Sequence, residues 1–179
     1  DHMMVISPDE GGMTRAIYIA NVLGLDMGMF YKRRDYTRVV NGRNPIIAHE
    51  FLGTSVEGKD MIIIDDMISS GDSVLEVAAA LKERKARKIF VFSTFGLFTG
   101  GLVKFDSAFE NGLIDRVLTT NLIYQTPELL QRDWYINCDM SKYVAYIIDT
   151  LNHDSSISDL LNPNERIQSI VARYKNGEL

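Results

Sequence analysis

Short apolar runs alternate along this chain with stretches of helical periodicity. Met4–Ile6 is a short apolar run, followed by Met13, Ala16, Ile17 and Ala20 at i, i+3, i+4 and i+7, with Leu23 one turn on. That spacing predicts an amphipathic helix. Met27–Tyr31 reads as a second strand, Met61–Ile64 as a buried strand rich in β-branched isoleucine, and Ile89–Phe92 as another. Val74, Val77, Ala78 and Leu81 mark the helix between the last two. Further on, Asp106–Asn111 predicts a helix ending at Gly112, Arg116–Leu118 a strand and Tyr135–Cys138 an edge strand. Met140, Val144, Ile147, Ile148 and Leu151 form a helical stripe, expected to be core, and Ser158–Leu161 and Glu165–Tyr174 close the chain as helices, with Pro163 at the start of the last. Strands alternating with helices predict an α/β fold: a mostly parallel sheet flanked by helices on both faces. Arg33–Val56 breaks the pattern. It is long and polar, with Asn41-Gly42, Asn44-Pro45 and Gly53, and predicts mostly loop with a possible hairpin.

Composition narrows the class. The 179 residues are 46% hydrophobic and 24% charged, which suits one globular domain over 1–179 and not disorder. No apolar run approaches the roughly 20 residues of a membrane-spanning helix, so no membrane partner is expected. A single cysteine, Cys138, excludes an intrachain disulfide and fits a cytoplasmic setting. Residues 1–3 (Asp1-His2-Met3) read as a possible cloning remnant, and a strand with almost no lead-in suggests that sequence once preceded it. The net charge of −5 argues against a protein that coats nucleic acid. Yet Lys32, Arg33, Arg34, Arg38 and Arg43 crowd one stretch broken by a single acid, Asp35, which points to a small anionic ligand.

Three loops carry candidate chemistry. Ser7-Pro8-Asp9-Glu10-Gly11-Gly12 joins the first strand to the first helix; its glycines let backbone approach a phosphate, and Asp9 or Glu10 can hold Mg²⁺ on it. An ordinary turn with acids complementing the helix dipole explains the same residues. Ile62–Ser73 reads as a buried strand ending in two carboxylates, Asp65 and Asp66, and then a hydroxyl-rich loop opening a helix. Carboxylates there suit vicinal sugar hydroxyls, and the loop suits a phosphate on the same sugar. The alternative is a solvated Asp66 with Ser70 or Ser73 capping the helix. The third loop, Lys32–Arg43, can neutralise a triphosphate in a transition state or act as a closing lid; by itself it reads equally as a solvated basic patch.

Ile62–Ser73 resembles the phosphoribosyl diphosphate signature of type I phosphoribosyltransferase folds, and Met4–Leu161 resembles the C-terminal half of the ribose-phosphate diphosphokinase family. The resemblance implies a phosphoribosyltransferase-like fold and an enzyme that moves a diphosphoryl group from ATP to the 1-hydroxyl of ribose 5-phosphate with Mg²⁺. It assigns Lys32 and Arg34 as the catalytic basic pair and Asp9 as the Mg²⁺-linked acid. It places Asp65 and Asp66 on the ribose, and Ser69, Ser70, Gly71, Asp72 and Ser73 on the 5-phosphate. It further implies a homo-oligomer and a preceding half-domain that helps to recognise ATP, so this chain alone is expected to bind weakly and turn over little.

Two positions depart from the family loop, Ser69 losing an acid and Asp72 adding one. A unit charge 4 Å from a phosphate costs about 4 kcal/mol at an effective dielectric of 20, so Asp72 must turn away from any bound anion or bind a cation, and the first is expected. Phosphoribosyltransferase activity and a non-catalytic paralogue are the competing functions. Elsewhere, Thr94–Gly101 lies at the functional edge, and Met27–Phe30 and Phe95–Phe98 offer apolar surface. His49, His153, Trp134 and Cys138 read as structural.

Overall fold

The computed structural model describes residues 2–34, 37 and 46–178. Strands β1 (Met3–Ser7), β2 (Asp26–Arg34), β3 (Ile46–Leu52), β4 (Asp60–Ile68), β5 (Ile89–Gly96), β6 (Arg116–Thr120) and β7 (Tyr135–Cys138) form one sheet in the order β3-β2-β1-β4-β5-β6-β7. All neighbours are parallel except β2 and β3, which form the expected hairpin. Helices α1 (Met13–Leu23), α2 (Asp72–Glu83), α3 (Val103–Glu110), α4 (Pro127–Leu130), α5 (Ser141–Asn152), α6 (Ser158–Leu161) and α7 (Asn164–Lys175) connect and follow the strands.

The pleat explains why the strands read as continuous apolar runs. In β1 and β4, Met4, Ile6, Met61 and Ile63 point to one face, where Val74, Val77, Ala78 and Leu81 of α2 and Phe105 of α3 cover them. Val5, Ile62 and Ile64 point to the other, where Ala16 and Ala20 of α1 cover them. Helices therefore lie on both faces, as the periodicity predicts. Phe105 stacks on Trp134 with centroids 5.3 Å apart, and Phe98 meets Phe105 edge-on at 5.1 Å. Trp134 donates its indole N–H to Asp106 Oδ1 at 2.8 Å, so the polar atom of this buried aromatic cluster is satisfied.

The elements depart from the sequence expectation in four places. β4 does not stop at Asp65 and Asp66 but runs on to Ile68, because β5 also continues and pairs Met67 with Phe95 and Ile68 with Gly96. Lys32 and Arg34 belong to β2 rather than to a loop, since the hairpin pairs Lys32 with His49 and Arg34 with Ile46; the remainder of the expected basic loop, except Thr37, lies outside the described residues. The α5 stripe is not core: α5 buries no residue, and Val144, Ile148 and Leu151 stay exposed. Of the expected apolar surfaces, Phe30 and Phe98 are buried, whereas Phe95 and Leu97 are exposed.

At the end of the sheet away from the candidate loops, Asp60 is 5% exposed and receives two bonds from Arg87, from Nε at 2.6 Å and from Nη2 at 2.7 Å. The guanidinium holds the Asp60 carboxyl below its ordinary range, against the opposing push of burial. Arg87→Ala leaves that buried carboxylate with only the Lys88 backbone N–H and His2, 4.0 Å away, as partners, and is expected to lower the unfolding free energy at pH 7. An acid with a depressed folded pKa stabilises above its unfolded pKa and loses that contribution as pH falls through the folded value. Urea titrations should therefore show the gap between Arg87→Ala and the parent chain closing at acid pH. A gap unchanged down to pH 2 would contradict this account of the pair.

Candidate functional site

From β1 the chain moves through α1 to β2 on one side, and later resumes at β4 on the other side of β1. The direction of winding reverses between β1 and β4. In open α/β sheets the crevice outside the carboxyl ends of the strands at such a reversal receives the ligand. The two loops there are Ser7–Gly12 after β1 and Ser69–Gly71 after β4, two of the three singled out by chemistry alone.

The first loop is tight. Ser7 Oγ donates to the Asp9 carbonyl at 2.7 Å, and the Gly12 N–H donates to Asp9 Oδ1 at 3.1 Å. A Cβ on Gly12 would stand 2.8 Å from Ser7 Oγ, so a side chain there would displace the hydroxyl that binds the Asp9 carbonyl. Asp9 is exposed at the strand end, and its charge is felt by Asp65, on the neighbouring strand.

The second loop begins with the acid pair. Asp65 is half-buried and Asp66 exposed. The Asp66 N–H donates to Asp65 Oδ1 at 2.8 Å. Burial drives the Asp65 carboxyl up to about 6, with the charges of Asp66 and Asp9 pushing the same way. Asp66 moves down, held by its side-chain hydrogen bond with Asp65 and then by the charge of Arg15. Arg15, from α1, lies 3.5 Å from Asp66 Oδ2 and 4.0 Å from Asp65 Oδ1. Sequence reading misses Arg15: it sits on the polar side of a helical pattern, and only the fold brings α1 beside the end of β4.

Gly71 then takes φ +87°, and α2 begins at Asp72. Ser70 Oγ donates to Asp72 Oδ2 at 2.8 Å, and Lys104 of α3 pairs with Asp72 Oδ1. The Asp72 carboxylate folds back onto Ser70 and binds a cation of the protein, which is the alternative to turning away from a bound anion. Lys104 is the second residue that sequence reading misses, because nothing local marks it. Ser69 Oγ lies 3.4 Å from Thr99 Oγ1, so the segment after β5 closes one side of the loop. Lys32 and Arg34 stand at the far end of β2, two strands from β4, and Asp9 stands between them and the acid pair in strand order.

The oxygen donors Asp9, Asp65 and Asp66 fit a hard cation such as Mg²⁺. Burial raises Asp65 first and the charges of Asp66 and Asp9 add to it, a repulsion that a divalent ion would relieve. Among the described residues no group of three or more acids, histidines or cysteines is placed to hold a metal ion. A Mg²⁺ ion at this place would rely on one or two carboxylates and on the substrate's phosphates.

A winding reversal flanked by an acid pair, a hydroxyl loop and a glycine turn, on a mostly parallel sheet with helices on both faces, defines a phosphoribosyltransferase-like α/β fold. The solved phosphoribosylpyrophosphate synthetase of Mycobacterium smegmatis superposes with a TM-score of 0.71 over 87% of this chain and 46% of its own, at 23% identity, which is a likeness of fold. The chain belongs to the phosphoribosyl synthetase-associated domain family, whose model matches residues 38–162. Ribose-phosphate pyrophosphokinases are similar in sequence: that of Vibrio cholerae is 33% identical over 160 residues, covering 89% of this chain and 48% of its own. That of Mycoplasma pneumoniae is 39% identical over 125 residues, covering 69% of this chain and 36% of its own. The chain thus spans about half the length, or less, of the curated relatives it matches.

Proposed function

We propose that this chain is the ribose-phosphate half of a ribose-phosphate diphosphokinase, transferring the diphosphoryl group of ATP to the 1-hydroxyl of ribose 5-phosphate. The observation that carries the reading is the acid pair and hydroxyl loop at the end of β4, facing Asp9 across the winding reversal. Asp65 and Asp66 accept hydrogen bonds from the vicinal ribose hydroxyls, which fixes the sugar. The backbone of Ser69–Ser73 and the N-terminus of α2 take the 5-phosphate. The 1-hydroxyl oxygen then forms a bond to the β-phosphorus of ATP, the bond from that phosphorus to the α–β bridging oxygen breaks, AMP leaves and the hydroxyl proton is lost. Lys32 and Arg34 supply positive charge for the diphosphoryl oxygens in that step, where charge stabilisation is most of the catalysis. Mg²⁺, held by Asp9 with the acid pair nearby, would offset the charge of the triphosphate. A second half of similar length reads the nucleotide, and the working enzyme is a homo-oligomer.

The test is AMP formation from ATP and ribose 5-phosphate. The chain alone is expected to bind ribose 5-phosphate weakly and to yield almost no AMP. Joined to the complementary half of a relative, it is expected to turn over, and Asp66→Ala or Lys32→Ala in that protein to remove most of the activity. Brisk turnover by the isolated chain would refute the division into halves. An assembled protein that binds ribose 5-phosphate but makes no phosphoribosyl diphosphate would refute the catalytic reading and favour a non-catalytic paralogue.

A further inference from the structure

The loop that receives the 5-phosphate in the proposed function carries a negative charge of its own. Asp72 stands in the first turn of α2, next to Gly71 and two residues from Ser70. A carboxylate at this place opposes an anion unless something compensates it. The compensation comes from 32 residues along the chain, where Lys104 in the first turn of α3 pairs with Asp72 at 2.5 Å.

The pair is not a remote surface contact. The segment after β5 is stitched to the loop: the Leu97 N–H donates to the Ile68 carbonyl at 2.9 Å, and the Thr99 N–H to the Ser69 carbonyl at 3.0 Å. Gly100 comes so near that a Cβ on it would lie 3.0 Å from the Ser70 carbonyl and 3.5 Å from Lys104 Nζ. The ammonium therefore sits at the loop itself, beside Ser70. Both side chains remain about half open to solvent, 44% for Lys104 and 60% for Asp72. An ion pair so exposed adds little to folding stability, so stability alone gives it no purpose. An ammonium has three N–H donors and the bond to Asp72 uses one.

We propose that Lys104 is a phosphate-binding residue of the sugar-phosphate site, positioned over the Ser69–Ser73 loop by Asp72, which it neutralises while donating its other N–H groups to the 5-phosphate. The inference rests on the ribose 5-phosphate reading and adds to it a side-chain cation from a separate helix. Asp72 is then a positioning residue rather than an obstacle. The loop binds its anion through backbone donors, hydroxyls and one point charge, and that charge makes the affinity salt-dependent.

The experiment is a titration of the full chain with ribose 5-phosphate, and separately with inorganic phosphate, followed by amide NMR shifts of Ser69–Ser73. Lys104→Gln is expected to weaken both ligands at least tenfold, because it removes a cation and uncovers a carboxylate. Lys104→Arg is expected to stay within threefold of the parent. The double change Asp72→Gly with Lys104→Gln is expected to recover at least threefold over Lys104→Gln alone, and the salt dependence of binding to flatten in Lys104→Gln. Parent-like affinity in Lys104→Gln would overturn the proposal, as would a double variant no tighter than the single one. If the parent chain shows no shifts in this loop with ribose 5-phosphate, the functional reading itself fails and this inference falls with it.

Discussion

Gly71→Ala is expected to lower the unfolding free energy by about 3 kcal/mol and to abolish ribose 5-phosphate binding at the same time. Two causes add. Gly71 has φ +87°, a conformation that costs a residue bearing a Cβ about 1–2 kcal/mol. That Cβ would also lie 2.4 Å from Cε2 and 2.5 Å from Cζ of Phe105, where carbon atoms prefer roughly 3.5–4.0 Å. A flexible neighbour would swing aside at little cost. Phe105 cannot: it is fully buried, stacked on Trp134 and met edge-on by Phe98. Overpacking of this kind costs about 1–3 kcal/mol. The loop must shift to relieve it, and the backbone donors at the start of α2 shift too. Urea unfolding and a ribose 5-phosphate titration check the two halves separately. A Gly71→Ala chain within 0.5 kcal/mol of the parent would show that the aromatic cluster yields.

Asp65→Asn is expected to weaken binding of ribose 5-phosphate with Mg²⁺ by about 10–100-fold, the scale of a charge-assisted hydrogen bond, while stabilising the empty protein above pH 6. The sign follows from the direction of the shift. Burial first, and the neighbouring acids after it, raise the Asp65 carboxyl to about 6, well above its value in the unfolded chain. Between about pH 4 and 6 the unfolded chain releases this proton and the folded one keeps it, so stability falls as pH rises through that window and is level above it. An asparagine never ionises and escapes the loss, which is worth about 1–2 kcal/mol at pH 8 after allowing for solvent that still reaches the group. The difference in unfolding free energy between the two proteins, plotted against pH, should be flat above 6.5 and shrink below 5.5. The ligand affinity of the parent should rise through pH 6, as Asp65 gains its charge. A pH-independent difference would show that Asp65 titrates normally.

Much of this arrangement is legible in the residues, and the limits are physical. Apolar runs such as Met61–Ile64 give away their strands because both faces of the sheet are covered there. Asp65-Asp66-Met67-Ile68 hides its strand, since at the sheet's end the side chains meet solvent and ligand instead of helices; only the pairing with β5 keeps the backbone extended. Asp9, Asp65, Asp66 and Ser69–Ser73 can be picked out because each cluster is local, and the winding reversal then brings the clusters together. Arg15 and Lys104 act across the fold, from helices whose own periodicity says nothing of the neighbour they meet. The α5 stripe shows the opposite error. Amphipathic spacing announces an apolar face, but a face becomes core only if another element covers it.

The two sides of the sheet are unequally furnished. The larger core takes in α2, α3 and the aromatic cluster, whereas on the α1 side the buried apolar residues among those described are Val5, Ala16, Ala20, Ile62 and Ile64, with Met3, Ile19, Leu25, Met27 and Phe92 partly buried against them. Neither α5 nor α7 has a single buried residue; α7 is tied to α1 through Gln168 to the Val22 carbonyl and Tyr18 to Asn164. Opening free energy follows buried apolar contact, so such a molecule comes apart in tiers. The C-terminal helices are expected to exchange their amide hydrogens faster than the sheet. The Ser69–Ser73 loop is anchored to the larger core through Gly71, whose Cα faces the buried Phe105 ring, so its backbone is expected to open less readily than the C-terminal helices. In the proposed function the 5-phosphate would meet backbone donors tied to the better-packed side of the sheet.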